Sequence, residues 1–221
     1  MKFFQGSAIL FLATIFAGCS PAGLIKPLEK GRHALSAHAG GPGIHFAGMP
    51  IPVPLSGMEY HYGLKDNLSF SAGAGITSLA FGTAQLHAGV LAAILEEKEK
   101  NLTPGLSGFI RGHFLLDRWE KQFRFYPEAG FHLFTRLGKH RWYTGGSAWF
   151  ETRFPSSQRT SANVWIPMVH AGWQKASGRW QPSAELKWIA PNLSSENLVV
   201  DYIGISGKGT LGIYVGLLRN F

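Results

Sequence analysis

Ten polar side chains carry most of the chemistry open to this 221-residue chain, and their spacing says more than their number. Glu59 and His61 stand two residues apart, as do Arg111 and His113, and Glu185 and Lys187. Arg124, Glu128 and His132 step by four, and His87 falls in a similar setting. In an extended chain such residues share one face, a separation of two spanning roughly 6.6 Å. Three kinds of chemistry fit these types. Arg and Lys can pair with Glu while His completes the hydrogen bonds; a Glu with a His can act as acid and base; converging imidazoles can hold a metal. One Cys in the whole chain leaves a metal site without thiolate ligands and excludes a disulfide framework. Nothing in the spacing brings His61, His87, His113 and His132 to one point. The expectation is therefore a paired charge and His network, with no metal and no cofactor.

The elements that must carry these residues alternate with period two over unusual lengths. Trp180, Pro182, Ala184, Leu186 and Trp188 are apolar, and the interleaved Arg179, Gln181, Ser183, Glu185 and Lys187 are polar. The preceding segment repeats the design with Trp165, Pro167, Val169, Ala171 and Trp173. Each apolar face is bracketed by two Trp eight residues apart. That is roughly 26 Å along a strand, or roughly 20 Å after a tilt of about 40°. A transmembrane β-barrel has an apolar band near this height with an aromatic girdle at each interface. Ordinary soluble strands are shorter. The same alternation runs through Leu68–Phe70–Ala72–Ala74–Ile76, through the even residues from Ala84 to Ile94, and through Phe123, Phe125, Pro127, Ala129, Phe131 and Leu133. It returns at Leu211, Ile213, Val215 and Leu217.

This predicts an all-β, antiparallel up-and-down transmembrane barrel of about ten strands. They fall near 32–46, 53–64, 67–78, 82–95, 105–116, 123–136, 140–153, 162–175, 179–190 and 208–221. The first is interrupted by Gly40-Gly41-Pro42-Gly43. Tight turns at 65–67, 137–139 and 176–178 alternate with longer connections at 154–161 and 191–207, the asymmetry of outer-membrane barrels. The charged turn 97–104 is longer than its position requires. Pro127, Pro167 and Pro182 lie inside strands, where each removes a ladder donor, so bulges are expected there. With the apolar set outward, all ten polar residues face a narrow lumen that side chains could largely fill.

Composition agrees. Charged residues are 15 % and aromatics 13 %, with 28 Gly, which argues against both disorder and an Ala/Leu/Glu/Lys helical bundle. The net charge of +8 has no Lys/Arg cluster interleaved with exposed aromatics in one loop, so nucleic acid is not an expected partner. Basic residues at a rim, Arg136, Lys139, His140 and Arg141, suit anionic headgroups or lipopolysaccharide phosphates.

Residues 1–18 read as a secretory leader: Met1-Lys2 is positive, residues 3–16 are mostly apolar, and the segment closes on Phe16-Ala17-Gly18-Cys19. That ending resembles the bacterial lipobox, although Phe16 stands where Leu, Val or Ile is usual. The resemblance implies cleavage before Cys19 and its lipidation. Residues 19–31, with Pro21, Gly23, Pro27 and Gly31, then read as a lipidated tether to a barrel of residues 32–221. Phe221 closes the last alternating strand and resembles the C-terminal assembly signal of bacterial outer-membrane β-barrel proteins, with Arg219 as the departure. This implies insertion by the outer-membrane assembly machinery of a Gram-negative cell, and no particular activity.

No catalytic signature is present. The His-x-Ser patterns of lipid A deacylases and outer-membrane phospholipases are absent, the omptin acidic and His set cannot be placed, and no dinucleotide, P-loop or zinc-protease motif occurs. The expected function is a small outer-membrane barrel lipoprotein with a structural or interaction role, in contact with outer-membrane lipids and a larger outer-membrane complex. Three alternatives remain open at this point: a lipid-modifying enzyme using Glu128 or His132, a narrow pore, and a lipid-tethered soluble barrel with the Trp-bracketed faces turned inward around an apolar ligand.

Overall fold

In a computed structural model, which describes residues 20–98, 103–119, 121, 123–150, 152, 165–195 and 200–221, the alternating segments form one closed sheet. The strands are β1 (His33–Phe46), β2 (Met49–Pro52), β3 (Leu55–Lys65), β4 (Leu68–Gly75), β5 (Thr83–Leu95), β6 (Gly105–Asp117), β7 (Phe123–Leu137), β8 (His140–Phe150), β9 (Trp165–Lys175), β10 (Trp180–Ser194) and β11 (Lys208–Asn220). A short helix, α1 (Ile76–Ala80), joins β4 to β5. Neighbours in sequence pair antiparallel, and β1 closes the ring against β11 from Ala34↔Asn220 to Pro42↔Gly212. β2 stands apart from the wall, pairing only with the tip of β1 from Gly43↔Pro52 to Phe46↔Met49. The wall thus has ten strands, and closure leaves it no free edge.

The faces follow from alternation alone. Leu186, Val169, Leu86, Ile110, Ile213 and Val215 project from the outer wall and are exposed. Inward neighbours on the same strands, such as Glu185, His170, His87 and Arg111, are buried. The inverted arrangement, with Trp-bracketed faces around an apolar ligand, is excluded because those faces lie outside.

Three local expectations are corrected. The Gly40–Gly43 run does not break β1: Gly40 has φ +132°, and a Cβ there would lie 2.1 Å from the Ile213 carbonyl oxygen, so glycine permits the strand to pass close to β11. Ile76 leaves the alternating face because residues 76–80 turn into α1. The three prolines cause no bulge. Each stands one residue beyond the end of a ladder: Pro127 next to Glu128↔Trp149, Pro167 next to Met168↔Ile189, and Pro182 next to Ser183↔Gln174. Each pairs in register on its other side, with Gly112, Ala148 and Leu217, so a missing donor costs the sheet little. The register shifts occur elsewhere, at Gly63/Lys65, Ala93/Leu95 and Ile189/Ser194.

Candidate functional site

The lumen is built from inward positions of β1 and β3–β11. Of the ten expected residues, Glu59, His61, His87, Arg111, His113, Glu128, His132, Glu185 and Lys187 are all below 9 % exposed. Arg124 faces inward too, partly buried near the mouth opposite Leu115.

Register sorts eight of the nine into three groups. Glu59 of β3 gathers basic side chains from β6 and β5: Arg111 Nη2 lies 3.3 Å and His87 Nε2 3.6 Å from Glu59 Oε1. His61, on the same face, is held by Ser36 Oγ at 2.8 Å and by Ser71 Oγ at 2.8 Å. In the second group His113 Nε2 meets Glu128 Oε2 at 2.8 Å, and the imidazole stacks on Trp149 with centroids 4.0 Å apart. The third joins Glu185 to Lys187, with Nζ 3.5 Å from Oε1, and to Tyr143, whose hydroxyl donates to Oε2 at 3.0 Å. His132 completes the set by pairing with His170, Nδ1 to Nε2, at 3.0 Å. Ionised groups persist in such burial only when paired and hydrogen-bonded.

Three residues of this site were not among the sequence candidates. His170 occupies the inward face of β9, between Met168 and Gly172, and period two would have placed it there. Tyr143 belongs equally to the inward set of β8. Glu97 offers no such signal: it lies in the long β5–β6 turn and reaches Arg141 Nη2 at 3.6 Å across the inner mouth. That contact gives the charged turn a role, and it takes Arg141 away from the lipid-facing rim, since Arg141 points into the lumen.

Residues 20–28, within the expected tether, run along the inside of the wall, and residues 29–31 reach its rim. The Ser20 carbonyl accepts from Lys187 Nζ at 2.6 Å, and the Ala22 amide donates to both Glu185 oxygens at 3.2 and 3.0 Å. The Ile25 carbonyl accepts from Ser107 Oγ at 2.7 Å, and the Leu28 amide donates to Ser69 Oγ at 2.8 Å. At the rim, Gly31 donates to the Gly63 carbonyl and Gly63 to Arg32. Ala22, Leu24 and Ile25 are buried against Phe134, Tyr143, Leu91 and Leu218. The reason is chemical complementarity: a Pro/Gly-rich segment forms no ladder of its own, so its amides and carbonyls are satisfied by inward side chains.

Among the described residues, no three His, Cys, Asp or Glu side chains converge as a metal-ligand set. Trp165, Trp173, Trp180 and Trp188 all sit on the outer wall, Trp165 and Trp180 half exposed. The Trp173 indole meets His140 Nδ1 at 3.1 Å, and that of Trp188 donates to the Lys208 carbonyl at 3.2 Å. Phe221 ends the chain just past β11, its amide bonded to the His33 carbonyl. The Arg219 guanidinium lies over Phe221 and Trp180, 4.7 and 5.2 Å from their centroids. Cys19 and the leader lie outside the described residues.

An apolar outer wall, a charged interior and a closed antiparallel sheet define a transmembrane β-barrel, here filled from within by its own N-terminal segment. No known protein family and no curated protein sequence matches the chain. Solved structures with a similar fold include the translocator domain of the autotransporter NalP from Neisseria meningitidis (10 % identity, 100 % of this chain and 96 % of that one, TM-score 0.46). An outer membrane channel from Pseudomonas putida F1 is similar at 12 % identity, over 91 % of this chain and 100 % of that one, with TM-score 0.43. An anion-selective porin from Comamonas acidovorans gives 14 % identity and TM-score 0.35 over 80 % of this chain, which spans 52 % of that porin's length.

Proposed function

We propose that this protein is a small outer-membrane β-barrel lipoprotein, lipidated at Cys19, with a structural or interaction role and a lumen that does not conduct. The observation that carries this reading is the passage of residues 20–31 through the barrel, tied to β10, β6 and β4 by Lys187, Glu185, Ser107 and Ser69. A segment so placed leaves little room for a water-filled path, which favours the closed barrel over the pore. Glu128 and His113 are spent on one another at 6 and 0 % exposure, a poor arrangement for a base that must reach a lipid substrate.

The partner surfaces follow from the ends of the barrel. Residues 200–205 of the β10–β11 connection lie back over β1: Ile203 donates to the Gly43 carbonyl, and His45 meets Asp201 at 3.1 Å. This end, together with the lipid-facing wall, is the proposed contact with a larger outer-membrane complex. The outer-membrane insertion machinery is the proposed assembly partner, and outer-membrane lipids the surrounding medium. The test is native extraction in mild detergent, with and without deletion of residues 191–207. Loss of a co-purifying complex on deletion supports the interaction role. An unchanged, isolated monomer in both preparations removes it.

A further inference from the structure

The end of the barrel where β1 begins and β11 finishes carries its charges in two different arcs. Tight turns join β3 to β4, β7 to β8 and β9 to β10 there, and the longer β8–β9 and β10–β11 connections lie at the other end. Short turns mark the periplasmic end of an outer-membrane barrel. On the arc from β3 to β6 the acids Glu29, Asp66 and Glu96 are exposed among the cations, and Asp66 accepts from the Lys30 amide at 3.0 Å. The arc from β7 to β11 presents Lys139, Lys175, Arg179 and Arg219, and residues 129–150, 165–184 and 202–221 contain no Asp or Glu.

The sheet brings Lys139 and Lys175 side by side. The Ala176 amide donates to the Lys139 carbonyl at 2.8 Å, and His140 stands opposite Lys175 in the β8–β9 ladder. Among the described residues neither ammonium forms an ion pair. Two residues nearer the middle of the same strands, Trp142 stands opposite Trp173, whose indole donates to His140 Nδ1 at 3.1 Å. That offset is roughly 6.6 Å along a strand, or roughly 5 Å along the membrane normal at a tilt of about 40°. Indole rings settle at the membrane–water interface, so the two ammonium groups stand just outside it, at the depth of headgroup phosphates. Arg219 repeats the arrangement on β11, its guanidinium over Trp180 and Phe221.

We propose that the Lys139–Lys175 pair holds the phosphate of an anionic phospholipid of the phosphatidylglycerol type, with the glycerol backbone and first methylenes against Trp142 and Trp173. The inference rests on the outer-membrane placement above and names the lipid class that one arc of the rim selects. A zwitterionic headgroup brings its own ammonium beside the two lysines and cancels much of the attraction; an anionic one does not. The opposite arc lacks this selectivity, because its carboxylates repel the same phosphate.

The experiment is native mass spectrometry of the folded full-length protein, released from micelles holding equal amounts of phosphatidylglycerol, phosphatidylethanolamine and lipid A. Folding of every sample is verified by gel mobility changing on boiling. The parent is expected to retain phosphatidylglycerol over both other lipids, a result that needs no variant. Lys139→Gln with Lys175→Gln weakens that retention roughly 30-fold, the effect of two cations at a membrane surface. Lys139→Arg with Lys175→Arg preserves it, as does Lys30→Gln with Lys65→Gln on the opposite arc. Equal losses from the two Gln pairs overturn the site in favour of diffuse attraction by net charge. Retention of lipid A in place of phosphatidylglycerol, or no preference among the three, overturns it as well. A mobility change on boiling in those same samples leaves the membrane-barrel reading standing, and its absence from the parent removes both.

Discussion

Lys187 Nζ stands 2.6 Å from the carbonyl oxygen of Ser20, 167 residues away in sequence, and 3.5 Å from Glu185 Oε1 on its own strand. One side chain thus neutralises a buried carboxylate and holds the start of the described chain inside the barrel. Most of the expected behaviour of this protein follows from that arrangement.

Lys187→Met leaves Glu185 buried with its Tyr143 and Ala22 donors but without a cation. Removing one partner of a buried pair costs about 3–5 kcal/mol. Urea unfolding in detergent micelles is expected to show a lower midpoint. The double change Lys187→Met with Glu185→Gln should recover part of the loss, because no unpaired charge remains. A single variant as stable as the parent removes Lys187 from its central place.

Gly23 and Gly31 have nearly the same left-handed backbone, φ +73° and +76°, in different surroundings. A Cβ at Gly23 would lie 2.8 Å from Glu59 Oε2 and 3.2 Å from Arg111 Nη2, whereas one at Gly31 meets nothing within 4 Å. Ala at either position carries the left-handed cost of roughly 1–2 kcal/mol. At Gly23 overpacking adds about 1–3 kcal/mol. Thermal melting of the two variants measures the difference, and equal losses would place residues 20–31 outside the lumen.

Planar-bilayer recordings test the closed lumen directly. The intact protein is expected to give no discrete conductance steps, and a form lacking residues 20–30 to give them. Steps from the intact protein contradict the proposed function. Silence from both means that inward side chains alone fill the barrel.

The outer wall is expected to behave as a lipid surface. Leu186 and Ile213 face one another near the middle of β10 and β11, both more than half exposed. Leu186→Arg should cost about 2–4 kcal/mol of stability in lipid, and Leu137→Arg, beside a tight turn, only about 0–1 kcal/mol. Vesicle refolding titrations with urea measure both. Equal, small effects would mean that the wall does not meet hydrocarbon.

Much of the architecture is legible from residue order because side-chain direction in a strand has period two, a local property. Trp180 through Trp188 declares one outward and one inward face whatever the rest of the chain does. The same rule buried nine of the ten candidate residues, and applied fully to β9 and β8 it would have added His170 and Tyr143. It separates faces but not partners. That Glu59 meets Arg111 while Glu128 meets His113 depends on the stagger of β3, β5, β6 and β7, and a strand's sequence does not encode its neighbour's register.

The long-range contacts lay beyond reach for a related reason. Residues 20–31 carry no period, since Pro and Gly interrupt both ladders and helices. Such a stretch has the composition of a linker, and only the lumen's inward donors and acceptors decide that it folds. Glu97 is likewise an ordinary charge in a turn until closure of the barrel brings Arg141 opposite. Sequence alone determined the strands, their two faces and the polar character of the interior, because these depend on neighbours two residues away. The tertiary structure decided which charges pair and that the N-terminal segment fills the lumen, because those contacts exist only once β1 has closed on β11.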